Sequence, residues 1–221
     1  LESVGDVILE RSRDAMLLEI QALQATSVGY EMTIDGDAAL VEVKGQLRVA
    51  GDGIYVTFDG TSKSSSKGIN VPIAYTEAYA SFGVRCIVGN EIPNNAGSLG
   101  VVHVSAPEGS ILNAPPPRAV SARHSIGQML PDVVLGCLDQ VVANVTPAEG
   151  ASCIWNPVFL SSLANSSANL NEDAFVINPI FNGGTGARAD KDGLSTTAFP
   201  SGVRTTSTEV NEATSPLVVW A

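Results

Sequence analysis

Hydrophobic and polar positions change their period once within the first sixty residues. From Ser3 to about Thr26, Val4, Ile8, Ala15, Leu18 and Ala22 recur near one face, leaving Glu10, Arg11, Arg13, Asp14 and Glu19 for water. That spacing predicts an amphipathic helix with Ser3 as its N-cap and Gly29 closing the segment. The period then falls to two. Glu31-Met32-Thr33-Ile34-Asp35 runs into the turn Asp35-Gly36-Asp37, and Leu40 to Val49 alternates apolar with polar. Gly51-Asp52-Gly53 turns the chain back along Ile54 to Asp59. Three such runs joined by tight turns predict a meander of three strands.

A polar loop from Gly60 to Gly68 leads through Asn70-Val71-Pro72 into a second helix, Ile73 to about Val88. Its Tyr75, Tyr79, Phe82 and Cys86 fall at helical spacing, as a core-facing stripe does. Val101 to Ser105 reads as a short strand. Pro115, Pro116 and Pro117 exclude helix and favour a stiff, extended approach to another long helix, from about Ser125 to Ala143. Leu130, Val133, Val134 and Leu138 form its apolar side, and Pro131 must lie in its first turn or kink it.

Beyond Gly150, Cys153-Ile154-Trp155, Val158-Phe159-Leu160 and Phe175-Val176-Ile177 read as strands, with Ser161 to Asn171 a polar, mobile insertion. Leu217-Val218-Val219-Trp220 reads as an apolar strand, an unusual place for a domain to stop. That ending and the start on Leu1 lead us to expect an excised central piece. The fold expected is α+β, mixed or antiparallel sheets packed with helices, a segment of a larger subunit. Residues 1–60 supply a helix and the meander, and residues 70–221 supply helices and strands with Gly-rich loops.

Composition narrows the function classes. The net charge is −11, from 23 acidic and 12 basic residues, and no Lys/Arg block offsets it, which argues against nucleic acid as a partner. No apolar run approaches the ~20 residues that cross a bilayer, and the first residues lack the basic start and apolar block of a signal peptide. Cys86, Cys137 and Cys153 lie far apart without a Cys-x-x-Cys pair. Neither a disulfide framework nor a zinc knuckle is expected, and a reducing, cytoplasmic setting suits them.

Candidate chemistry is sparse. His103 and His124 are the two histidines, in no metal-ligand spacing. His103 alternates within a strand and reads as structural. Arg123-His124-Ser125 sits before a helix start, where orphan amides favour an anion such as a substrate carboxylate or a carbonyl oxygen. Gly183-Gly184-Thr185-Gly186 followed by Arg188 has two readings: backbone amides converging on an anion, or a tight turn that tolerates only glycine. Asp190-Lys191-Asp192-Gly193 reads as a surface turn, since no Glu follows at the offset a calcium loop needs. There is no Gly-x-Ser-x-Gly elbow and no cysteine with an evident base, so a self-contained nucleophilic site is not expected.

Four segments recur in an informative order: Pro93-Asn94-Asn95-Ala96-Gly97, Pro107-Glu108-Gly109-Ser110 through Pro117, Asn182-Gly183-Gly184-Thr185-Gly186-Ala187-Arg188, and Phe199 to Val210. With Thr57-Phe58-Asp59-Gly60-Thr61-Ser62 ahead of them, the chain resembles the central part of the B subunit of the hydantoinase/5-oxoprolinase family. It departs from the family pattern at Asp59, where serine is usual, and at Thr206 to Val210, where a proline is missing.

The resemblance implies a subunit of an ATP-dependent enzyme that opens hydantoin-like or 5-oxoproline-like rings, working with a hydantoinase A-type subunit that handles ATP. It also implies a divalent metal held by His and Asp residues near the start of the complete subunit. Those positions have no counterpart here, so no metal ligand and no cofactor-binding residue is assigned to this chain. Its share would be to shape the pocket, with Arg123, His124, Gly183, Gly184 and Arg188 as candidate residues, and to make subunit contacts. A carboxylase of the acetone or acetophenone type is the alternative chemistry, because one fold serves both. A non-catalytic scaffold module is the alternative class. A hydrolase predicts that Arg123, His124 and the Gly183 loop converge on one pocket. A scaffold predicts that they scatter and that Val218-Val219-Trp220 forms an interface.

Overall fold

The computed structural model describes residues 2–36, 39–151, 154–160, 175–195, 197, 199–200, 202 and 206–220. Helix α1 (Glu2–Gln21) precedes strands β1 (Thr26–Ile34), β2 (Val41–Ala50) and β3 (Gly53–Thr57). The three strands pair antiparallel, with Tyr30 opposite Gly45 and Val49 opposite Ile54. Helix α2 (Ile73–Ile87) and the single turn α3 (Ala96–Leu99) then carry the chain to β4 (Val102–Ser105). Strand β4 adds parallel to β3, Val56 opposite Val104, giving the order β1-β2-β3-β4. A parallel neighbour requires such a crossover, and α2 supplies it. The mixed sheet packed with helices is the α+β arrangement read from the sequence.

Strand β2 shows how the sheet chooses its faces. Val41, Val43, Gly45, Leu47 and Val49 point inward, while Glu42, Gln46 and Arg48 point to solvent. On the outer face Arg48 lies 4.0 Å over the Tyr55 ring, which stacks on His103 at 4.7 Å. The inner face meets α5 (Leu130–Leu138), preceded by the single turn α4 (His124–Gly127). Leu130, Val133, Val134 and Leu138 of α5 are buried with Leu47, Ile54, Phe58 and Val84 in one core.

Helix α5 approaches closely because small residues make room. A Cβ added at Gly45 would sit 2.5 Å from Val133, one at Gly136 would sit 2.5 Å from the Tyr30 ring, and one at Gly83 of α2 would sit 3.0 Å from Val134. The end of α5 is tied to β1 by Gln140, whose side-chain amide donates to the Gly29 and Gly136 carbonyls, both at 2.9 Å.

Several expectations need correction. Helix α1 stops at Gln21, and Gly29 lies inside β1, paired with Gln46. The buried residues of α1 are Ser12, Met16 and Ile20, whereas Val4 and Leu18 are 59% and 67% exposed. The face that enters the core is therefore set by what α3 and the sheet offer, not by the most apolar stripe. On α2 the buried stripe is Thr76, Ala80, Gly83 and Val84, with Tyr75 and Tyr79 stacked at its margin and Phe82 exposed. The expected helix over residues 125–143 is broken into α4 and α5, and Pro131 is the second residue of α5, in the first turn, where its missing N–H costs nothing.

Residues 217–220 form no strand, and Trp220 is 90% exposed. Short two-residue pairs join β5 (Ile154–Trp155) to β8 (Phe181–Asn182) and β6 (Phe159–Leu160) to β7 (Val176–Ile177), followed by helix α6 (Thr208–Thr214). The polar insertion at residues 161–171 and Cys153 lie outside the described residues.

Replacing Gly83 with valine is expected to wedge α2 from α5. Overpacking of this kind costs about 1–3 kcal/mol, which a thermal melt reads as a fall of several degrees. A melt equal to that of the parent would mean that the two helices do not meet at this position.

Candidate functional site

The segments that the sequence marks as unusual are held by specific bonds. Thr61 and Ser62 continue past β3 along the first half of β2. The Lys44 amide donates to Thr61 Oγ1 at 3.0 Å and the Glu42 amide to Ser62 Oγ at 2.9 Å, so hydroxyls stand in for a missing strand. Asn95 caps α3 by accepting from the Gly97 and Ser98 amides, and its Nδ2 donates to Ser12 Oγ at 2.8 Å, which docks the turn on α1. A Cβ at Gly97 would meet the Leu9 carbonyl oxygen at 2.0 Å, so this position admits only glycine. Nearby, buried Arg85 closes α2: its guanidinium donates to Asn94 Oδ1 at 3.0 Å, to the Val88 carbonyl at 3.0 Å, and to the Gly89 and Ile92 carbonyls. It is a structural cation.

Arg123 and His124 stand together at the start of α4. Arg123 is exposed, its Nη1 donating to the Val120 carbonyl at 3.3 Å and its guanidinium lying 5.9 Å from the Tyr75 ring centre. Burial first, then the neighbouring Tyr79, raises the Tyr75 phenol above its usual range, so it stays protonated. His124 is half-buried. With one turn in α4, the dipole argument for an anion there is weak.

Gly183, Gly184 and Arg188 belong to a different support. Gly184 takes φ +92 and its carbonyl accepts from the Ala151 amide at 3.4 Å. A Cβ at Gly183 would meet Ala151 at 2.1 Å, and one at Gly186 would meet the Ala148 carbonyl oxygen at 1.8 Å. The glycines thus let this loop lie directly on residues 148–151. Arg188 holds its own loop, donating through Nε and Nη2 to the Asp192 carbonyl at 3.2 and 3.0 Å. The observed contacts accordingly place Arg123 and His124 against α2, and the Gly183 loop against residues 148–151.

That second support borders a cleft the sequence reading missed. Tyr30, Asp132, Gly136, Asp139, Thr146 and Glu149 line about 330 Å³ between β1, α5 and the segment after it. Tyr30 donates to Glu149 Oε1 at 2.8 Å, and this bond, with burial second, raises the phenol's pKa. Asp132 is 6% exposed, and burial first, then the Glu149 charge, pushes its carboxyl up to about 7. The only sequence signal was an acid lodged between Leu130-Pro131 and Val133-Val134.

A larger groove of about 690 Å³ runs between α2 and β4, lined by Glu77, Phe82, Arg85, Leu99 and His103 among others. The two described thiols, Cys86 and Cys137, fill space. Burial raises Cys86 and pushes Cys137 up to about 11, far from a nucleophilic thiolate. Among the described residues, no group of three or more His, Cys, Asp or Glu is placed to hold a metal ion. No described helix is long and apolar enough to cross a membrane.

Comparison with known proteins gives a consistent result. A family model described as hydantoinase B/oxoprolinase matches residues 1–221. The B component of a putative D-/L-hydantoinase from Pseudomonas sp. is 27% identical over 208 residues, covering 88% of this chain and 34% of that protein. The ATP-dependent caprolactamase of Pseudomonas jessenii superposes with a TM-score of 0.76 at 18% identity, over 95% of this chain and 37% of its own. Acetone carboxylase in its nucleotide-free structure gives 0.74 at 15%, over 94% and 30%. At such identities these two structures establish the fold alone. The first curated relatives are much longer, with 8% to 34% of their lengths matched.

Asp132 makes stability depend on pH. Its carboxyl binds a proton more tightly folded than unfolded, so the contribution is fully present below about 3.8 and is lost as pH rises through about 7. Asp132→Asn is expected to raise stability by about 1–3 kcal/mol at pH 8 and to lose that advantage near pH 4. Melting curves of both proteins across this range check it, and parallel pH profiles would contradict the assignment.

Proposed function

Since the chain belongs to the hydantoinase B/oxoprolinase family, we propose that it forms part of the B-type subunit of an ATP-dependent enzyme that opens small cyclic amides of the hydantoin or 5-oxoproline type. The match to the family over residues 1–221 carries this reading. An A-type subunit handles ATP in the proposed complex, and ATP supplies the activation that an unreactive amide needs before water can open it. In the proposed enzyme a divalent metal is held by His and Asp residues near the start of the complete subunit, as the family resemblance implies.

Within this segment the proposed contributors are Arg123 and His124 beside α2 and, on the separate support of residues 148–151, Gly183, Gly184 and Arg188. Arg123 and His124 would orient a carbonyl or carboxylate oxygen, and the Gly183 loop would hold the wall formed by residues 148–151. Exposed Val4, Val7, Ile8 and Leu9 on α1 offer apolar area to a partner or to further protein of the same subunit, which supports the subunit-contact role. The proposed setting is the cytoplasm, which suits Cys86 and Cys137 as free thiols.

Two further readings have an observation each. A ketone carboxylase is favoured by the fold shared with acetone carboxylase. A scaffold module is favoured by the packing roles of Asn95, Gly97 and the Gly183 loop. The complete reading frame, co-expressed with its A-type neighbour, should release ADP and a ring-opened acid from hydantoin, 5-oxoproline or caprolactam, and Arg123→Ala should lower the rate at least about tenfold. Ketone- and bicarbonate-dependent ATP use without ring opening would establish the carboxylase. Neither activity in an intact complex would leave the scaffold.

A further inference from the structure

Strand β4 ends the sheet on one side, and among the described residues no further strand pairs with its outer edge. A parallel ladder engages alternate residues of each strand. The Ile54 amide donates to the Val101 carbonyl at 3.0 Å and the Phe58 amide to the Ser105 carbonyl at 3.0 Å, with Val56 opposite Val104. That alternation turns the backbone of His103 and Ser105 toward β3 and leaves the amides and carbonyls of Val102 and Val104 on the outer edge. Among the described residues no backbone group bonds to them there. The groove of about 690 Å³ follows this edge and not a face of the sheet. Val102 and Val104 point toward the core and His103 to the outer face, where it stacks on Tyr55, yet all three line the groove. Its other wall is α2, where Ala74, Ala78 and Ser81 have short side chains, and Phe82 and Leu99, 38% and 37% exposed, add apolar surface. From Ala74 to Arg85 that wall runs about 16 Å, the length of about five extended residues.

We propose that this groove binds an extended segment of a partner chain, which adds to β4 as a further strand and places a Lys or Arg beside Glu77. The open edge presents donors and acceptors at strand spacing, and a polypeptide backbone supplies the matching set. Alternate side chains of the added strand then lie against Phe82 and Leu99. Charge selects the kind of segment. Arg85 lines the groove, but its guanidinium is committed to Asn94 and to the Val88, Gly89 and Ile92 carbonyls. Glu77 is exposed and forms no ion pair among the described residues, so the accessible charge of the groove is negative. A second copy would bring another chain of net charge −11 to this place, whereas a basic segment neutralises Glu77. The proposal stands on the strand edge and the groove beside it and does not depend on amide opening.

The test adds blocked peptides of about six residues to the folded chain and follows calorimetry, amide chemical shifts and hydrogen exchange. One peptide alternates valine with lysine, a second alternates valine with glutamate, and a third is the valine-lysine peptide N-methylated on alternate amides. The first should bind at least about tenfold more tightly than the third, which lacks the main-chain donors. It should shift the amides of residues 74–85 and 102–104 and slow exchange at Val102 and Val104. Val104→Pro removes an outward N–H without touching the ladder to β3 and should weaken binding about tenfold. Glu77→Lys, at an exposed helix position, should weaken the valine-lysine peptide at least about threefold and favour the valine-glutamate one. Absence of binding, equal affinity for the N-methylated peptide, shifts confined to other elements, or affinity unchanged in both variants would overturn the proposal. Self-association through Val102–Ser105 without peptide would overturn it by assigning the edge to a second copy. Protection of the two amides in the complete subunit alone would do so by assigning the edge to the same polypeptide.

Discussion

Everything else in this fold depends on how closely α5 can lie against the sheet. Three glycines on three different elements set that distance: Gly45 of β2 under Val133, Gly136 of α5 under Tyr30, and Gly83 of α2 under Val134. With the helix seated, Leu130, Val133, Val134 and Leu138 fill the inner face of a sheet that has few aromatics to do so. Aliphatic side chains are small, so a core built from them reaches interior packing density only if the backbones come close. The seating of α5 also fixes what lies at either end of it. Asp132, one turn in, is forced under the segment that follows the helix, and the loop before α4 is pulled against Tyr75.

The punctuation that carries the family resemblance gains a physical meaning from this. Glycine, asparagine and proline appear where the chain must cross itself at short range. Asn95 and Gly97 dock α3 on α1. Asn113 donates to the Ala106 carbonyl at 2.8 Å and so folds the Pro107 to Pro117 segment back on itself, presenting Ile111 and Leu112 to the core. Gly183 and Gly186 admit residues 148–151. Such motifs preserve a shape on which function can be built, and the shape survives in proteins that act on different substrates.

The elements with strong period were legible before the structure: the meander, α2, β4 and the apolar side of α5 stand where alternation and helical spacing put them. Boundaries and faces were less so. Gly29 reads as a helix stop because glycine ends helices, yet here it is one residue of a strand, where the pairing with Gln46 outweighs local preference. On α1 the residues that pack are Met16 and Ile20, and Ser12 is buried because its hydroxyl returns to the Ile8 carbonyl and receives Asn95. No hydrophobic pattern signals a buried serine. The fourth strand's parallel partnership with β3 is likewise a long-range choice that adjacent residues do not encode. Of the site, the positions of single candidates were readable, but the cleft at Asp132 was not, since Tyr30 and Glu149 meet across 119 residues of sequence.

The distribution of charge follows from the same connectivity. A chain of net charge −11 repels anions at long range, so any anion it holds must be met locally by cations from which acids have been kept away. Residues 109–131 carry no acid, and the next residue is Asp132, whose carboxyl is buried on the α5 side and driven toward its neutral form. Had Asp132 been exposed and ionised, it would have placed a full negative charge directly after that acid-free stretch. Burying it removes that charge below about pH 7 without removing the residue. The close seating of α5 therefore shapes the electrostatics as well as the core: the contact that packs Val133 under Gly45 is the one that takes the adjacent carboxyl out of water.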